Sequence, residues 1–319
     1  MLDIASLNFG YGKSKLFDRL DLRLEGGRAY GLLGLNGAGK TSLLKLMAGA
    51  LSPGSGEITA FGRVPAKREA ACLADTAFVS EDPWLPPIKA DAYLARYVIF
   101  RPAFDYSRFE SLRRDFALVE DKSLQKLSYG QRKKFALAAA LASGSRSILL
   151  DEPTNGLDIP SKMQFRKALS ESIAPDRIIV VSTHQVRDLE SLIDPVLILD
   201  NGRLAFELGS DEMAQHLATA RVASLDGLHV IHAERDALGW NALVAKSSGT
   251  ESAEAGALRS EGELRSVGEL CSPDLEMVFN AALAEGGRLE AAIAGQELAP
   301  YTASSLYAAG LTDSFPERN

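Results

Sequence analysis

Apolar and polar residues alternate over 2–9 (LDIASLNF) and over 20–24 (LDLRL), the two-residue period of half-buried strands, with Gly26-Gly27 as the next turn. Residues 28–33 form a short apolar run instead. So do 76–80 (TAFVS), 147–150 (SILL), 178–182 (IIVVS) and 196–199 (VLIL), as strands covered on both faces do. Helical spacing replaces this pattern at 42–51 (Leu43, Leu44, Met47, Leu51), across 88–119 with a break at Pro102, and within 127–143, where Ser128 is placed to cap. The aromatics Tyr93, Tyr97, Phe100 and Phe104 of the second stretch read as core. Pro53-Gly54-Ser55-Gly56 is a turn before a hairpin strand at 57–61, residues 81–87 (EDPWLPP) are a loop, and Asp200-Asn201-Gly202-Arg203 is a hairpin turn leading to 204–207. Strands alternating with helices imply an α/β fold with a mostly parallel sheet, and the alternating strands add an antiparallel patch beside it.

Candidate chemistry sits where apolar strands end, the carboxyl edge at which such sheets bind ligands. After 28–33 comes GLNGAGKT at 34–41, which fits G-x-x-x-x-G-K-[ST] at every fixed position and opens a helix. Glycines let several backbone N–H groups of Asn36, Gly37, Ala38 and Gly39 turn toward one anion, and the helix start adds its dipole. Lys40 can reach terminal phosphates, Thr41 can ligate Mg²⁺, and Ser42 follows in the first turn. Strand 147–150 runs into Asp151-Glu152: the first acid can hold the metal and the second can orient or deprotonate water. Strand 178–182 runs into Thr183-His184. Tyr11, between the first two strands, is either an ordinary packing aromatic or a ring for stacking a base.

With 319 residues the chain has length for more than one domain. A net charge of −7 without a basic tract argues against nucleic acid as a partner. Cys72 and Cys271 are the only cysteines, so a disulfide framework is not expected. No apolar run approaches the ~18–20 residues of a membrane span, and the N-terminus lacks a basic-then-apolar leader. The expectation is a cytosolic chain that reaches a membrane only through a partner.

Taken together, Tyr11, GLNGAGKT, LSYGQ at 127–131, ILLDEP at 148–153, NGLD at 155–158 and STH ending in His184 closely resemble the nucleotide-binding domain of ABC transporters. The resemblance covers residues 1 to about 210. It implies a P-loop NTPase core with an antiparallel β subdomain and a small α-helical subdomain at about 88–143. It also implies a head-to-tail homodimer in which ATP lies between the phosphate loop of one chain and Ser128 and Gly130 of the other, with Mg²⁺ at the phosphates and with Gln131 and Asp158 among the nucleotide-binding residues. In that picture Lys40, Glu152 and His184 are catalytic, with Glu152 the general base and His184 the γ-phosphate sensor. Thr41 and Asp151 hold the metal, Tyr11 stacks on adenine, and a separately encoded permease docks on the helical subdomain and the loop after Glu81. Two positions depart from the family. Glu81 stands where glutamine is usual, which adds a carboxylate that can ligate Mg²⁺. Tyr129 replaces the first glycine of the signature.

Residues 211–319 are expected to form a small C-terminal α+β accessory or regulatory region without chemistry of its own. Residues 227–246 read as strands with a turn, with His229 and His232 on opposite faces and without metal-ligand companions; 247–256 read as a flexible polar loop. Residues 272–283 read as a helix with Ser272 capping, Pro273 at the first position and Asp274 in the first turn, resembling the terminal helix of exporter ATPase subunits. The tail from Ala284 is alanine- and glycine-rich, and beyond Pro300 is expected to be poorly ordered. The function these features imply is an ATPase subunit of an exporter, peripheral on the inner face of the membrane. The rivals are a soluble ABC ATPase not coupled to transport and a slow nucleotide-gated regulatory module.

Overall fold

A computed structural model describes residues 1–118, 122–225, 229–237, 239–246, 270–296 and 298. The chain divides into two compact units, Met1–Leu208 and Gly209–Asn319. The first unit runs β1 (Leu2–Tyr11), β2 (Ser14–Leu24), β3 (Arg28–Leu33), α1 (Lys40–Met47), β4 (Ser55–Ala60), α2 (Ala70–Asp75) and β5 (Thr76–Val79). It continues through α3 (Ala90–Tyr97), α4 (Tyr106–Asp115), α5 (Tyr129–Leu141), β6 (Ser147–Asp151), α6 (Ile159–Ser170), β7 (Ile178–Thr183), β8 (Val196–Asp200) and β9 (Arg203–Leu208).

The central sheet has the order β5-β6-β7-β3-β8-β9, parallel except for the β9 edge. Its inner strands are covered on both faces: Leu32, Leu149, Val180 and Leu197 are fully buried, each contributing roughly 1.5–3 kcal/mol of transfer free energy. A separate antiparallel sheet, β2-β1-β4, packs its apolar face into the same core, where Leu2, Leu7 and Phe17 meet Leu43 and Leu44 of α1. β2 is longer than its 20–24 alternation suggests, because register shifts in the β1–β2 ladder interrupt the two-residue period. The strand expected as a hairpin arm at 57–61 pairs with β1 instead. α1 stops at Met47 rather than at residue 51. Gly49 has φ +67°, and a Cβ there would lie 2.1 Å from the Pro65 carbonyl oxygen, so the chain turns away at a position only glycine tolerates.

Between β5 and β6, α3, α4 and α5 form the helical subdomain. Phe135 of α5 is 2% exposed and meets Tyr93 and Phe109 edge-on, at ring-centroid distances of 5.4 and 5.9 Å. Tyr97 stacks on Tyr93 and Phe104 packs on Tyr97, but Phe100 is 72% exposed and is not core. Phe135→Ala is expected to destabilise the first unit by about 3–5 kcal/mol, because it removes a fully packed ring and leaves a cavity. Urea denaturation followed by circular dichroism would measure this; a midpoint unchanged from wild type would contradict it.

The second unit comprises α7 (Ser210–His216), β10 (Leu217–Val222), β11 (Val230–Asp236), β12 (Gly239–Ala245), α8 (Leu275–Ala284) and α9 (Gly286–Ile293). Its sheet has the antiparallel order β10-β12-β11, with α8 and α9 packed against β11. β10 is a strand the sequence pattern did not disclose. The α8 cap is Asp274, whose carboxylate accepts from the N–H groups of Glu276 (2.8 Å) and Met277 (3.2 Å), so the expected cap at Ser272 is corrected. The segment after Ala284 includes a further helix, α9. His229 precedes β11 rather than lying within it; its Nδ1 is bonded to the Leu298 carbonyl, while His232 Nε2 faces Glu234. The expected polar loop at 247–256 and the tail beyond 300 lie outside the described residues.

Candidate nucleotide site

The site is built where β3, β6 and β7 end. β3 delivers the chain into the loop 34–41, and α1 begins at Lys40 with Gly39 before it at φ 109°, without a side-chain cap. The first N–H groups of an uncapped helix lack partners within the helix and favour an anion. Gly37 has φ +86°, and a Cβ there would meet nothing within 4 Å, so the backbone passes an open cradle at a conformation that favours glycine. Ala38 shapes the loop rather than lining it: its N–H donates to the Leu35 carbonyl (3.1 Å) and its methyl is buried.

A cleft of about 360 Å³ opens over this loop. Tyr11, Asn36, Gly37, Gly39, Lys40, Thr41 and Ser42 line it together with Glu81 and Glu152. Tyr11 ends β1, 55% exposed, its hydroxyl 3.1 Å from Ser42 Oγ and its ring edge-on to Phe9. That arrangement leaves ring surface at the mouth of the cleft. Lys40 Nζ donates to the carbonyls of Gly34 (2.6 Å) and Leu35 (3.3 Å) and stands 3.8 Å from Glu152 Oε1. Burial pushes the Lys40 ammonium below its ordinary pKa, while Glu152 and Asp151 oppose that shift.

The β6 acids are held differently. Asp151 is 2% exposed; its Oδ1 accepts from Ser182 Oγ (2.7 Å) and its Oδ2 from Thr41 Oγ1 (2.8 Å). The Thr41 hydroxyl and the Asp151 carboxylate thus already face one another. Hard oxygen donors of this kind suit Mg²⁺, so the residues present fit that ion. Glu152 leaves the strand at φ 44°, a left-handed conformation uncommon for glutamate, with its N–H donating to Ser182 O and Oγ, both at 3.1 Å. Its Oε1 lies 2.9 Å from His184 Nδ1, while Oε2 is buried without a hydrogen-bond partner. One carboxylate oxygen is therefore held against His184, and the other is closed off without a partner.

Other expected residues lie elsewhere. Ser128 caps α5 and accepts from Gln131 N–H (3.3 Å), Gln131 Nε2 donates to the Ala117 carbonyl (3.4 Å), and Asp158 caps α6 through Ser161 N–H (2.9 Å). None of these, nor Gly130, lines the cleft. Tyr129 turns back onto its own chain: its ring lies over Gly156, where a Cβ would be 2.1 Å from a ring carbon, and its hydroxyl donates to the Glu81 carbonyl (2.8 Å). Glu81 Oε1 accepts from Asn155 Nδ2 (3.0 Å).

Sequence reasoning missed Lys133 and gave no role of their own to Ser182 and Asn155, which lie in the STH and NGLD motifs. Lys133 is fully buried, and its Nζ donates to the carbonyls of Glu81 (2.5 Å) and Asp151 (3.4 Å), over the ring of Tyr129. Burial brings its pKa down to about 8, against the upward pull of Glu81, Asp151 and Glu152. No local signal marked the lysine. Three consecutive cations, Arg132 to Lys134, span about 200° of a helix, an arc that a solvent face can hold, so their run alone does not say which one turns inward.

Comparison with known proteins agrees with this geometry. A profile of the family described as ABC transporter matches residues 17–155. A putative ABC transporter ATP-binding protein of Methanosarcina mazei is 33% identical over 202 residues, covering 59% of this chain and 68% of the relative. The Nod factor export ATP-binding protein I of Cupriavidus pinatubonensis is 29% identical over 210 residues, 64% of each chain. The chain thus spans about two thirds of the length of these relatives. The solved structure of an ATP-binding subunit of an ABC transporter superposes with a TM-score of 0.62 at 24% identity, over 67% of this chain and 91% of that one, and shares the fold. With phosphate loop, acid pair and histidine assembled at one sheet edge, the chain belongs to the ABC transporter family, among its ATP-binding subunits.

Proposed function

We propose that the chain is the ATP-hydrolysing subunit of an exporter, working as a homodimer on a separate membrane permease from the cytoplasmic side. The observation that carries the reading is the convergence of Lys40, Thr41, Asp151, Glu152 and His184 at the ends of three adjacent strands. The loop 34–41 and the α1 N-terminus bind the phosphates, and Lys40 leaves the Gly34 and Leu35 carbonyls to pair with the outermost one. Thr41 and Asp151 hold Mg²⁺, which when bound neutralises charge on the phosphate oxygens. Glu152, which lines the cleft, takes the proton of the attacking water, and His184 holds its carboxylate in place. Tyr11 supplies a stacking face for the base.

Export is supported by the printed function of the Nod factor relative. A docking face for a permease is supported by Trp84 (77% exposed), Ile99 and Phe100 (both 72%) in and beside the helical subdomain. Among the described residues no helix is long and apolar enough to cross a membrane, so in this reading the membrane part belongs to the partner. Ser128, Gly130, Gln131 and Asp158, away from the cleft of their own chain, are left to meet ATP held by the second copy.

Purified protein is expected to hydrolyse ATP with Mg²⁺ and to lose that turnover when the ion is chelated, with a larger species forming in Mg-ATP on gel filtration. Negligible turnover with Mg²⁺ and no nucleotide-dependent association would overturn the motor reading.

A further inference from the structure

Lys133 has no part in the chemistry described above, yet it is the most fully buried cation of the first unit's described residues. A buried ammonium is tolerated only with strong compensation. Its compensation here is specific. Nζ spans the backbone carbonyls of Glu81, at the end of the β5 loop, and Asp151, at the end of β6, and the carboxylates of Glu81, Asp151 and Glu152 all act on it. Tyr129, one helical turn earlier on α5, donates to the same Glu81 carbonyl, and Asn155 holds the Glu81 side chain. Glu81 is therefore gripped at backbone and side chain by three separate residues, and it lines the nucleotide cleft. The grip coincides with the two departures from the family pattern, a carboxylate at 81 and a phenol at 129.

We propose that Lys133 and Tyr129 are positioning residues of the nucleotide site: through the backbone carbonyls of Glu81 and Asp151 they clasp the Glu81 loop to the Asp151 strand end. The inference rests on the nucleotide-site reading above. It predicts that the lysine matters whichever side chain stands at 81, because its bonds are to the backbone of that residue and of Asp151.

The test is Mn²⁺ affinity, by electron paramagnetic resonance, of the full chain saturated with a non-hydrolysable ATP analogue, with nucleotide affinity and the thermal melt measured alongside. Lys133→Met is expected to weaken Mn²⁺ about tenfold or more, Lys133→Arg to restore most of that, and Lys133→Met in a Glu81→Gln background to lose about as much. A loss that disappears in the Glu81→Gln background, or an unchanged Mn²⁺ affinity in a folded Lys133→Met variant, would overturn the proposal. Should Lys133→Met fail to fold, Tyr129→Phe decides: it keeps the ring over Gly156, removes only the hydroxyl, and is expected to weaken Mn²⁺ measurably, whereas wild-type affinity would reject the clasp. A wild-type chain that binds neither nucleotide nor Mn²⁺ would instead overturn the nucleotide-site reading itself.

Discussion

Glu152→Gln is expected to lower kcat for ATP by roughly 10²- to 10⁴-fold, the range removed with a general base, while leaving nucleotide binding nearly intact. The amide retains an oxygen to face His184 but puts a group unable to take a proton where Oε2 is buried without a partner. Lys40, Thr41 and Asp151, which are assigned to the phosphates and the ion, keep their side chains, and the Lys40 ammonium, without the Glu152 charge 3.8 Å away, is free to pair with phosphate. Turnover stalled before the chemical step should hold ATP between two copies, so gel filtration in Mg-ATP is expected to show a stable dimer. A kcat within threefold of wild type would remove Glu152 from the chemistry and point to His184 or to water alone.

Lys40→Ala should act on binding as well as on rate. The ammonium is only 7% exposed and already shares its surroundings with Glu152. Removing one member of a buried hydrogen-bonded charge pair costs about 2–5 kcal/mol, or roughly 30- to 5,000-fold in ATP affinity. Part of that loss comes from Glu152, left near the phosphates without its neighbouring cation. Titration with a fluorescent ATP analogue would measure it, and a Kd within a factor of three of wild type would mean that Lys40 stays on the Gly34 and Leu35 carbonyls when nucleotide arrives.

The parts of this molecule legible in advance are those in which one short segment contains its own physics. A glycine loop between an apolar strand and a helix defines its local shape, and acids at a strand end are placed by the strand, so the neighbourhood of Lys40, Asp151 and Glu152 followed from residues 28–51 and 147–152. Illegible were the contacts made between distant segments. Nothing local says that the Tyr129 phenol reaches residue 81, forty-eight positions away, or that Lys133 points into the core. The C-terminal unit fails for another reason. β10 is LATARV, whose two faces differ little in polarity because Ala218, Thr219 and Ala220 are all buried, and a strand without alternation has no period to detect. α9 begins at Gly286-Gly287, a pair that reads as a break. Asp274 was visible as a first-turn acid, but the choice between it and Ser272 depends on where the chain bends, not on which side chain can cap.

The backbone of Glu152 sets the protein's two requirements against each other at a single codon. A left-handed φ of 44° costs a side chain about 1–3 kcal/mol that glycine would not lose. A library selected for thermal resistance alone would therefore drift toward glycine at this position, and each step of that drift would yield a sturdier chain that no longer turns over. Engineering this fold for robustness has to exempt residue 152 from the screen and recover the margin elsewhere.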